Sequence, residues 1–426
     1  QVAVDPALGR IAFSPRSMPR KGVWVTYHYG FSADMGGGEY NRRPRPAGDR
    51  HVYYVTQPPP DAASRPAVQP PPDHFETIGE ALAHWTKEKA THRDVVIEIT
   101  DGGLYSEPIE ILLDPEDRLE LRAANLQRPV IRLPESYTNR PSALHIARAD
   151  EAPQEKRGGH LRLDGLLIAG SGLQIEGHLK EVTIRHCTLV PGWSLDAHCH
   201  PQSEAEPSIE LFDTTARLVI ERSILGSIEV NDARAESDPA PISISDSIVD
   251  AQSSKAKALH APDCAVAHAA LRIVRCTVFG RVQVHQLDLA ENCIFTGEVK
   301  VARRQQGCVR FCYVPRGSVT PRRYDCQPDN AIAAMVAGAQ NTPVPESDKA
   351  RVADQTRPIF NDVRYGKPAY AQLADACPAS IKRGADDESE MGAFHDLFQP
   401  QREANLRARL DEFTPAGLDA GLFFET

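Results

Sequence analysis

Three charged residues, Arg222, Asp246 and Arg275, occupy the same position in consecutive copies of a short repeat, each directly before a small residue. The same column contains His186 and Asn292. If the copies stack, Arg222, Asp246 and Arg275 lie side by side. An arginine beside a carboxylate can take a proton from a carbon acid, and a nearby cation then stabilises the enolate. The simpler interpretation, which we favour, is a ladder of alternating charges that neutralise one another, with sugar contact or catalysis as the alternative.

The densest set of metal-ligand residue types is His198, Cys199 and His200, with Asp196 close by. Zinc sites usually take three or four ligands from separate elements, and no second cluster of suitable spacing accompanies this run. We therefore interpret it as part of a polar loop, with a metal site as the less favoured alternative. We expect no cofactor.

A glycine-rich run, DMGGGE at residues 34–39, is a candidate phosphate cradle. A phosphate loop needs a following helix and usually a lysine, whereas YNRRP follows here. We therefore expect a flexible turn that leads towards a linker. Nucleophilic catalysis is disfavoured, because the chain has no GxSxG motif and cysteines of the repeats would point inwards, away from substrate.

The composition limits the classes of partner. The chain of 426 residues has a net charge of −10, so nucleic acid is not expected as its main partner. No apolar run approaches the roughly 20 residues that cross a bilayer, and we expect a soluble protein without a membrane span. The amino terminus shows no export-signal pattern, but a start at Gln1 leaves a processed form open, so localisation stays undecided. Nine cysteines without a CxxC pair favour reduced, mostly buried thiols.

The elements that must position these residues are short strands. A pattern of apolar and polar residues around one small position recurs seven times, at LRLDGLLIAG (161), VTIRHCTLV (182), LVIERSILG (218), ISISDSIVD (242), LRIVRCTVFG (271), LDLAENCIFTG (287) and CVRFCYVP (308). The small position is Leu166, Cys187, Ser223, Ser247, Cys276, Cys293 and Cys312. No coil can bury its apolar residues alone, so stacked coils would align the small residues into an internal ladder. Cysteine suits such a ladder as a small buried hydrophobe.

The segments before the repeats predict three further parts. Residues 1–56, with GRIAF and VWVTYHYG, alternate large apolar and polar residues and predict a small β unit. The Pro-rich residues 57–73 predict a semi-rigid extended linker. Thr77 is the candidate N-cap of a short capping helix, in which Ile78, Leu82 and Trp85 recur at helical spacing.

The segments after the repeats complete the division of the chain. Residues 74–390 are expected to form one solenoid with its cap and exit segment. Residues 391–426 predict a helix and tail, with Leu406, Leu410 and Phe413 on one stripe of the helix. We expect this helix to pack back on the end of the solenoid, with docking to a partner as the alternative.

The lead-in FETIGEAL…VVIEITDGGLYSEPIEI and the repeat LRIVRCTVFG resemble right-handed parallel β-helix proteins of the pectin-lyase-like class, over residues 75–312. The segment RPIFNDVRYGKPAYAQLADACPASIKRGADD resembles the exit segment of such proteins. The resemblance implies an all-β fold, a right-handed parallel β-helix solenoid with a short N-terminal capping helix, a small N-terminal β unit and a C-terminal helical tail. Relatives of this class that hydrolyse pectic polysaccharides carry Asn-Thr-Asp, paired Asp and Gly-His-Gly signatures in successive coils, and the coils here lack them.

The flanking pieces DPALGRIAF…VTYHYGFSADMGGGEYNR and SEMGAFHDLFQPQREANLRARLDEFTPAGLDAGLFF are similar to uncharacterised proteins of phage-tail-like and contractile injection gene clusters. This similarity implies protein partners in a larger assembly. We expect a non-enzymatic structural or receptor-binding component that recognises a surface polysaccharide. The alternative is a polysaccharide lyase or glycoside hydrolase acting in the groove along the solenoid. A homotrimer is a further expectation, because β-helix spikes are often trimers.

Overall fold

The computed structural model describes residues 2–5, 10–14, 19–20, 33–58, 72–133, 144–149, 158–231, 238–339, 343–367 and 369–417. The predicted strand at 23–30 and most of the predicted linker, residues 59–71, lie outside this description. At the amino terminus, β1 (Val2–Asp5) and β2 (Arg10–Phe13) pair in an antiparallel fashion. Strand β2 coincides with the predicted GRIAF strand of the small N-terminal β unit.

A helix closes the N-terminal end of the solenoid, as predicted. The elements here are β3 (His51–Val55), β4 (His74–Phe75) and α1 (Ile78–Glu88). Thr77 accepts a hydrogen bond from the backbone N of Glu80 at 3.2 Å, which confirms it as the N-cap. Ile78, Leu82 and Trp85 are buried, so this face of the helix covers the first coil.

Short parallel strands form the body of the protein. They are β5 (Asp94–Ile99), β6 (Leu104–Ser106), β7 (Glu110–Leu113), β8 (Arg118–Ala123), β9 (Val130–Arg132), β10 (Leu144–Arg148), β11 (His160–Asp164), β12 (Leu167–Ala169), β13 (Leu173–Glu176), β14 (Glu181–Arg185), β15 (Thr188–Leu189), β16 (Ile209–Phe212), β17 (Arg217–Glu221), β18 (Ile224–Leu225), β19 (Ile228–Asn231), β20 (Ala240–Ser245), β21 (Ile248–Asp250), β22 (Lys257–His260), β23 (Ala267–Val274), β24 (Thr277–Phe279), β25 (Arg281–Glu291), β26 (Ile294–Phe295), β27 (Val299–Val301), β28 (Cys308–Arg310) and β29 (Arg322–Tyr324).

These strands stack into three sheets, and each full coil contributes one strand to each sheet. The front sheet runs β3, β5, β8, β11, β14, β17, β20, β23, β25, β28 and β29. The short-strand sheet runs β6, β9, β12, β15, β18, β21, β24 and β26. The third sheet runs β7, β10, β13, β16, β19, β22, β25 and β27. All of these pairings are parallel, which confirms the predicted all-β parallel β-helix.

The predicted alignment of the repeats agrees with the observed register of the front sheet. Its inward apolar positions pair from coil to coil in the order Leu161, Val182, Leu218, Ile242, Leu271 and Leu287. The register shifts by one residue after Leu271, where β25 contains an additional residue. The ladder residues Cys187, Ser223 and Ser247 are fully buried, so the small position points into the core as expected.

The corner between the front sheet and the short-strand sheet has one repeated backbone geometry. The residue before each ladder residue has a positive φ, and this corner column comprises Gly165, His186, Arg222, Asp246, Arg275, Asn292, Phe311 and Asp325. The backbone N of a corner residue donates to a carbonyl of the next coil, as from His186 to Glu221 at 3.0 Å. The ladder side chain donates back across the corner, as from Ser223 Oγ to the carbonyl of Glu221 at 2.8 Å. The column is therefore a structural corner of every coil.

The solenoid begins earlier in the chain than the predicted boundary at residue 56. Strand β3 pairs with β5, from His51 opposite Val95 to Val55 opposite Ile99. The preceding residues 33–50, which we call the N-terminal strap, also lie on the solenoid. Arg42 donates from Nη2 to the carbonyl of Ala124 at 2.6 Å and is 4% exposed. The strap is therefore part of the packed body rather than of a separate β unit.

The carboxyl-terminal elements are α2 (Asp329–Gly338), α3 (Glu346–Gln355), α4 (Ala379–Lys382), a 3-10 turn (His395–Leu397) and α5 (Gln399–Phe413). The exit segment, residues 357–387, packs with the strap over the outer side of the short-strand sheet. Its Tyr370 shares a hydrophobic cluster with Ile248, Phe279 and Phe394. The short-strand sheet is thus buried on both faces around Ile248 and Phe279.

The expected packing of the C-terminal helix on the solenoid is not observed. Leu406 is 45% exposed and Phe413 is 74% exposed, although both lie on the predicted stripe. Arg402, Arg407 and Arg409 interrupt this helix with charges, and its apolar residues are too few to hold it on the solenoid. The stripe therefore faces outwards.

Candidate functional site

The structure brings two of the three predicted surface residues together. Asp246 and Arg275 form a bidentate ion pair, with Nε to Oδ1 at 2.5 Å and Nη2 to Oδ2 at 2.8 Å. This pair raises the pKa of Arg275. Arg222 is exposed, and within the described residues its side chain forms no ion pair with either neighbour. Stacking therefore brings one predicted pair into contact, Asp246 and Arg275, and these two charges neutralise each other.

Two further positions of the corner column, His186 and Asn292, are covered by other parts of the chain. The hydroxyl of Tyr40 in the strap lies 2.7 Å from Nδ1 of His186. Asn292 donates from Nδ2 to Oδ1 of Asp386, at the end of the exit segment, at 2.6 Å. Burial lowers the pKa of His186 to about 3, with a further contribution from nearby arginines, so the imidazole is neutral near pH 7. At His186 and Asn292 the column is therefore a contact line between segments of the chain.

The glycine run at residues 34–39 is not the flexible turn that we predicted. Gly36 donates its backbone N to the carbonyl of Arg222 at 2.8 Å, and Gly37 donates to Oγ1 of Thr188 at 3.0 Å. A Cβ atom at Gly37 would lie 2.6 Å from the carbonyl oxygen of Leu166. Only glycine allows the strap to approach this closely, because any side chain would collide with the solenoid backbone. The three consecutive glycines were the sequence signal that could have predicted this close approach.

The run from His198 to His200 forms a loop organised by Asp196. Oδ1 of Asp196 accepts the backbone N of His198 and of His200, each at 2.8 Å. His200 also places Nδ1 3.2 Å from Oδ2 of Asp196. The imidazole rings of His198 and His200 are 6.1 Å apart, and both are exposed. This geometry agrees with the favoured interpretation of a polar loop, and Cys199 lies in the wall of a cavity described next.

Three cavities lie in series between the exit segment and the short-strand sheet, and we call them together the exit groove. The first, of about 350 Å³, adjoins the strap; the second, of about 410 Å³, adjoins the 196–200 loop; the third has about 370 Å³. Tyr365 lines the first and second cavities, and Asp250 lines the second and third. The lining extends from Leu167 to Tyr313, which corresponds to about 30 Å at roughly 4.8 Å per coil.

A buried carboxyl group lies where the second and third cavities meet. Asp250 is 2% exposed and accepts hydrogen bonds from the hydroxyl of Tyr370 and the backbone N of Gln252, both at 2.7 Å. Burial raises the pKa of Asp250 to about 6, and the two hydrogen bonds oppose that rise. Glu204 also lines the second cavity. A carboxyl group with a raised pKa, in a cavity that a second carboxylate also lines, could donate a proton to a ligand.

Cationic side chains line the rest of the exit groove. Arg128 and Lys367 line the first cavity, Arg364 the second and Arg357 the third. Arg364 lies 3.6 Å from Asp362, whereas Arg128, Arg357 and Lys367 have no ion-pair partner within the part of the chain that the structure describes. The groove therefore combines aromatic walls with positive charge, although the whole chain is acidic.

Sequence reasoning did not find the exit groove. Asp250 is the last residue of β21, and its partner in the next coil is Phe279. An acidic residue on an otherwise apolar side of a short strand was the one sequence signal that could have indicated the groove. Arg128 lies just before β9, whereas the other three cations belong to the exit segment, which is far away in sequence. Nothing in their local spacing indicates that they meet.

Comparison with known proteins does not assign the chain to a family. Neither a scan against protein-family models nor a search of the curated proteins finds a match. In the described parts of the chain, every helix is too short or too polar to cross a membrane.

Proposed function

We propose that the protein is a non-enzymatic β-helix component that binds an extended acidic polysaccharide along the exit groove, within a larger protein assembly. The observation that carries this proposal is the set of three cations, Arg128, Arg357 and Lys367, that line the groove without ion-pair partners among the described residues. A polyanion with charges at regular intervals would meet them successively. Tyr365 offers a ring between the first two cavities, which suits contact with a sugar face.

The corner column supports the non-enzymatic part of the proposal. Asp246 and Arg275 are the predicted acid and base that lie in contact, and they form a bidentate ion pair with each other. His186 is buried and bonded to Tyr40. Asp246, Arg275 and His186 are therefore not free to exchange protons with a bound sugar.

The exposed C-terminal helix supports the assembly part of the proposal. Leu406 and Phe413 present an apolar stripe to solvent at the end of the described chain. A partner protein, from a phage-tail-like or contractile injection particle in keeping with the sequence similarity, would cover this stripe. A homotrimer would be an alternative way to cover it, and light scattering on the full chain distinguishes a trimer from a monomer.

The binding proposal is tested with a panel of acidic and neutral polysaccharides. We expect acidic polymers to bind and the triple variant Arg128→Gln, Arg357→Gln, Lys367→Gln to bind at least tenfold more weakly, because a hydrogen bond to a charged group contributes about 1.5–3 kcal/mol. The matched control is Arg304→Gln, an exposed cation outside the groove. Equal binding by the triple variant and the wild type would contradict the proposal.

The second candidate function is polysaccharide cleavage, which the raised pKa of Asp250, in a cavity that Glu204 also lines, favours. A lyase would release unsaturated products that absorb at about 235 nm, and a hydrolase would release reducing ends. We expect neither product from any polymer that binds. Release of either product, abolished by Asp250→Asn, would replace the non-enzymatic function with the enzymatic one.

A further inference from the structure

A cluster of metal-ligand side chains lies where the end of the exit segment meets the corner column. One ligand atom each from Asp386, Asp387 and His395 lies within 4.8 Å of the other two. Asp386 and Asp387 are exposed, whereas the side chain of His395 is 8% exposed. This cluster is separate from the exit groove and from the 196–200 loop.

The hydrogen bonds of His395 determine which ring nitrogen faces the carboxylates. Its Nδ1 lies 3.2 Å from the carbonyl oxygen of Glu390 and 2.8 Å from Oγ of Ser389. A carbonyl oxygen can only accept, so Nδ1 carries the proton of the neutral ring. The lone pair of Nε2 then faces Oδ2 of Asp387 at 3.5 Å and Oδ1 of Asp396 at 3.9 Å. A buried nitrogen lone pair aimed at two carboxylates is unfavourable unless a proton or a metal cation lies between them, and Oγ of Ser389 also lies 3.4 Å from Nε2.

Two further contacts hold the carboxylates in place. Asn292 donates to Oδ1 of Asp386 at 2.6 Å and accepts the backbone N of Asp386 at 3.2 Å. The backbone N of Ser389 donates to Oδ1 of Asp387 at 2.9 Å. Each contact uses one carboxylate oxygen or the backbone, which leaves Oδ2 of both residues available. Hydrogen bonds of this kind commonly orient the ligands of metal sites.

We propose that Asp386, Asp387 and His395 bind a divalent transition-metal ion that fastens the end of the exit segment to the corner column. One imidazole nitrogen with carboxylate oxygens suits Zn²⁺, whereas Ca²⁺ and Mg²⁺ favour oxygen ligands alone. Asp396 or water completes the coordination. Arg275 of the column forms its ion pair with Asp246 and also interacts electrostatically with Asp396.

The test uses the full chain after treatment with a chelator, titrated with Zn²⁺ alone in a calorimeter. We expect one tight site, and a higher thermal unfolding temperature when Zn²⁺ is present. Asp387→Asn removes an exposed ligand and should weaken binding at least tenfold while the far-ultraviolet circular dichroism stays unchanged. Asn292→Ala, which removes both hydrogen bonds between this side chain and Asp386, should weaken binding about 10- to 100-fold.

The matched control is the double variant His198→Ala, His200→Ala, which removes the exposed histidines of the 196–200 loop. This control should keep the tight site and its thermal shift. The proposal is overturned if the wild type binds no Zn²⁺ at a one-to-one ratio, if Asp387→Asn binds like the wild type, or if the control loses the site instead.

Discussion

The hydroxyl of Tyr40 lies 2.7 Å from Nδ1 of His186 and connects the N-terminal strap to the corner column. The same hydroxyl lies 2.6 Å from the carbonyl oxygen of Gly36. Since the carbonyl can only accept, the hydroxyl proton is donated to Gly36, and Nδ1 of His186 donates to the tyrosine oxygen. Tyr40 is 8% exposed and His186 is 3% exposed, so the two bonds are shielded from water. They fix both the path of the strap and the tautomer of the histidine.

Substitution of Tyr40 tests this connection. Tyr40→Phe leaves the buried Nδ1 of His186 and the carbonyl of Gly36 without their partner, which should lower the free energy of unfolding by about 1–3 kcal/mol. Urea unfolding measures the change. The control is Tyr54→Phe, because Tyr54 stacks on His74 and its hydroxyl has no hydrogen bond within the described residues. Equal losses in the two variants would contradict the assigned role.

The neutral state of His186 predicts a pH dependence of stability. Its folded pKa is lowered to about 3, from a usual value of 6.5, chiefly by burial. Between these values the unfolded chain binds a proton that the folded chain does not, so stability falls as the pH falls from 6.5 towards 3. The slope attributable to His186 is about 1.4 kcal/mol per pH unit.

The variant His186→Asn isolates this contribution. Asparagine does not titrate, and it tolerates the φ of 48° at this corner. The stability advantage of the wild type over the variant should therefore shrink as the pH falls from 6.5 to 4 in urea titrations. A difference that is independent of pH would show that His186 is protonated in the folded protein.

Much of the solenoid could be predicted because its signals are local and repeated. The pairing of Leu218 with Ile242, the inward direction of Ser223 and the N-cap at Thr77 all follow from short periodic patterns. The proximity of Asp246 and Arg275 followed from the same stacking. The positive φ of the corner column was not predicted, although aspartate, asparagine and histidine, which tolerate it, recur there.

The strap and the exit segment cover the short-strand sheet, and this layer could not be predicted because it depends on contacts between segments that are far apart in sequence. The approach of Gly37 to Leu166 and the bond between Tyr370 and Asp250 join residues more than one hundred positions apart. No spacing rule connects such residues in a single sequence. The exit groove depends on such contacts, which is why it was not predicted. Asp386, Asp387 and His395 are close in sequence, and the fold of the chain after the exit segment brings their ligand atoms together.

The internal ladder predicts a difference between two small substitutions at Ser247. Its Oγ accepts the backbone N of Ser223 at 3.0 Å and donates to the carbonyl of Ser245 at 2.6 Å. Ser247→Ala leaves that buried N–H unpaired and should cost about 1–3 kcal/mol in urea unfolding. Ser247→Cys keeps a weaker donor and acceptor, as Cys276 and Cys293 do in later coils, and should cost less. A larger loss for cysteine than for alanine would mean that volume, rather than hydrogen bonding, governs the ladder.

Asp250 predicts a pH dependence of the opposite sign to that of His186. Burial raises its folded pKa to about 6, above the usual value of 3.8, so between these values the folded chain holds a proton that the unfolded chain releases. Stability contributed by Asp250 is therefore present at low pH and is lost as the pH rises through 6. The ionised carboxylate should cost about 3 kcal/mol at pH 8.

The variant Asp250→Asn should consequently be more stable than the wild type at pH 8, by up to about 3 kcal/mol, and should lose that advantage below pH 4. Its amide can still bond the hydroxyl of Tyr370 and the backbone N of Gln252, so the packing is preserved. Because the contributions of His186 and Asp250 oppose each other between pH 4 and 6, the wild-type profile alone cannot separate them. Urea unfolding of Asp250→Asn and His186→Asn over the same pH series does so, since the two variants should deviate from the wild type with opposite slopes. If Asp250→Asn is less stable than the wild type at pH 8, the carboxylate is stabilised by the groove, and a cation near it would be the physical reason.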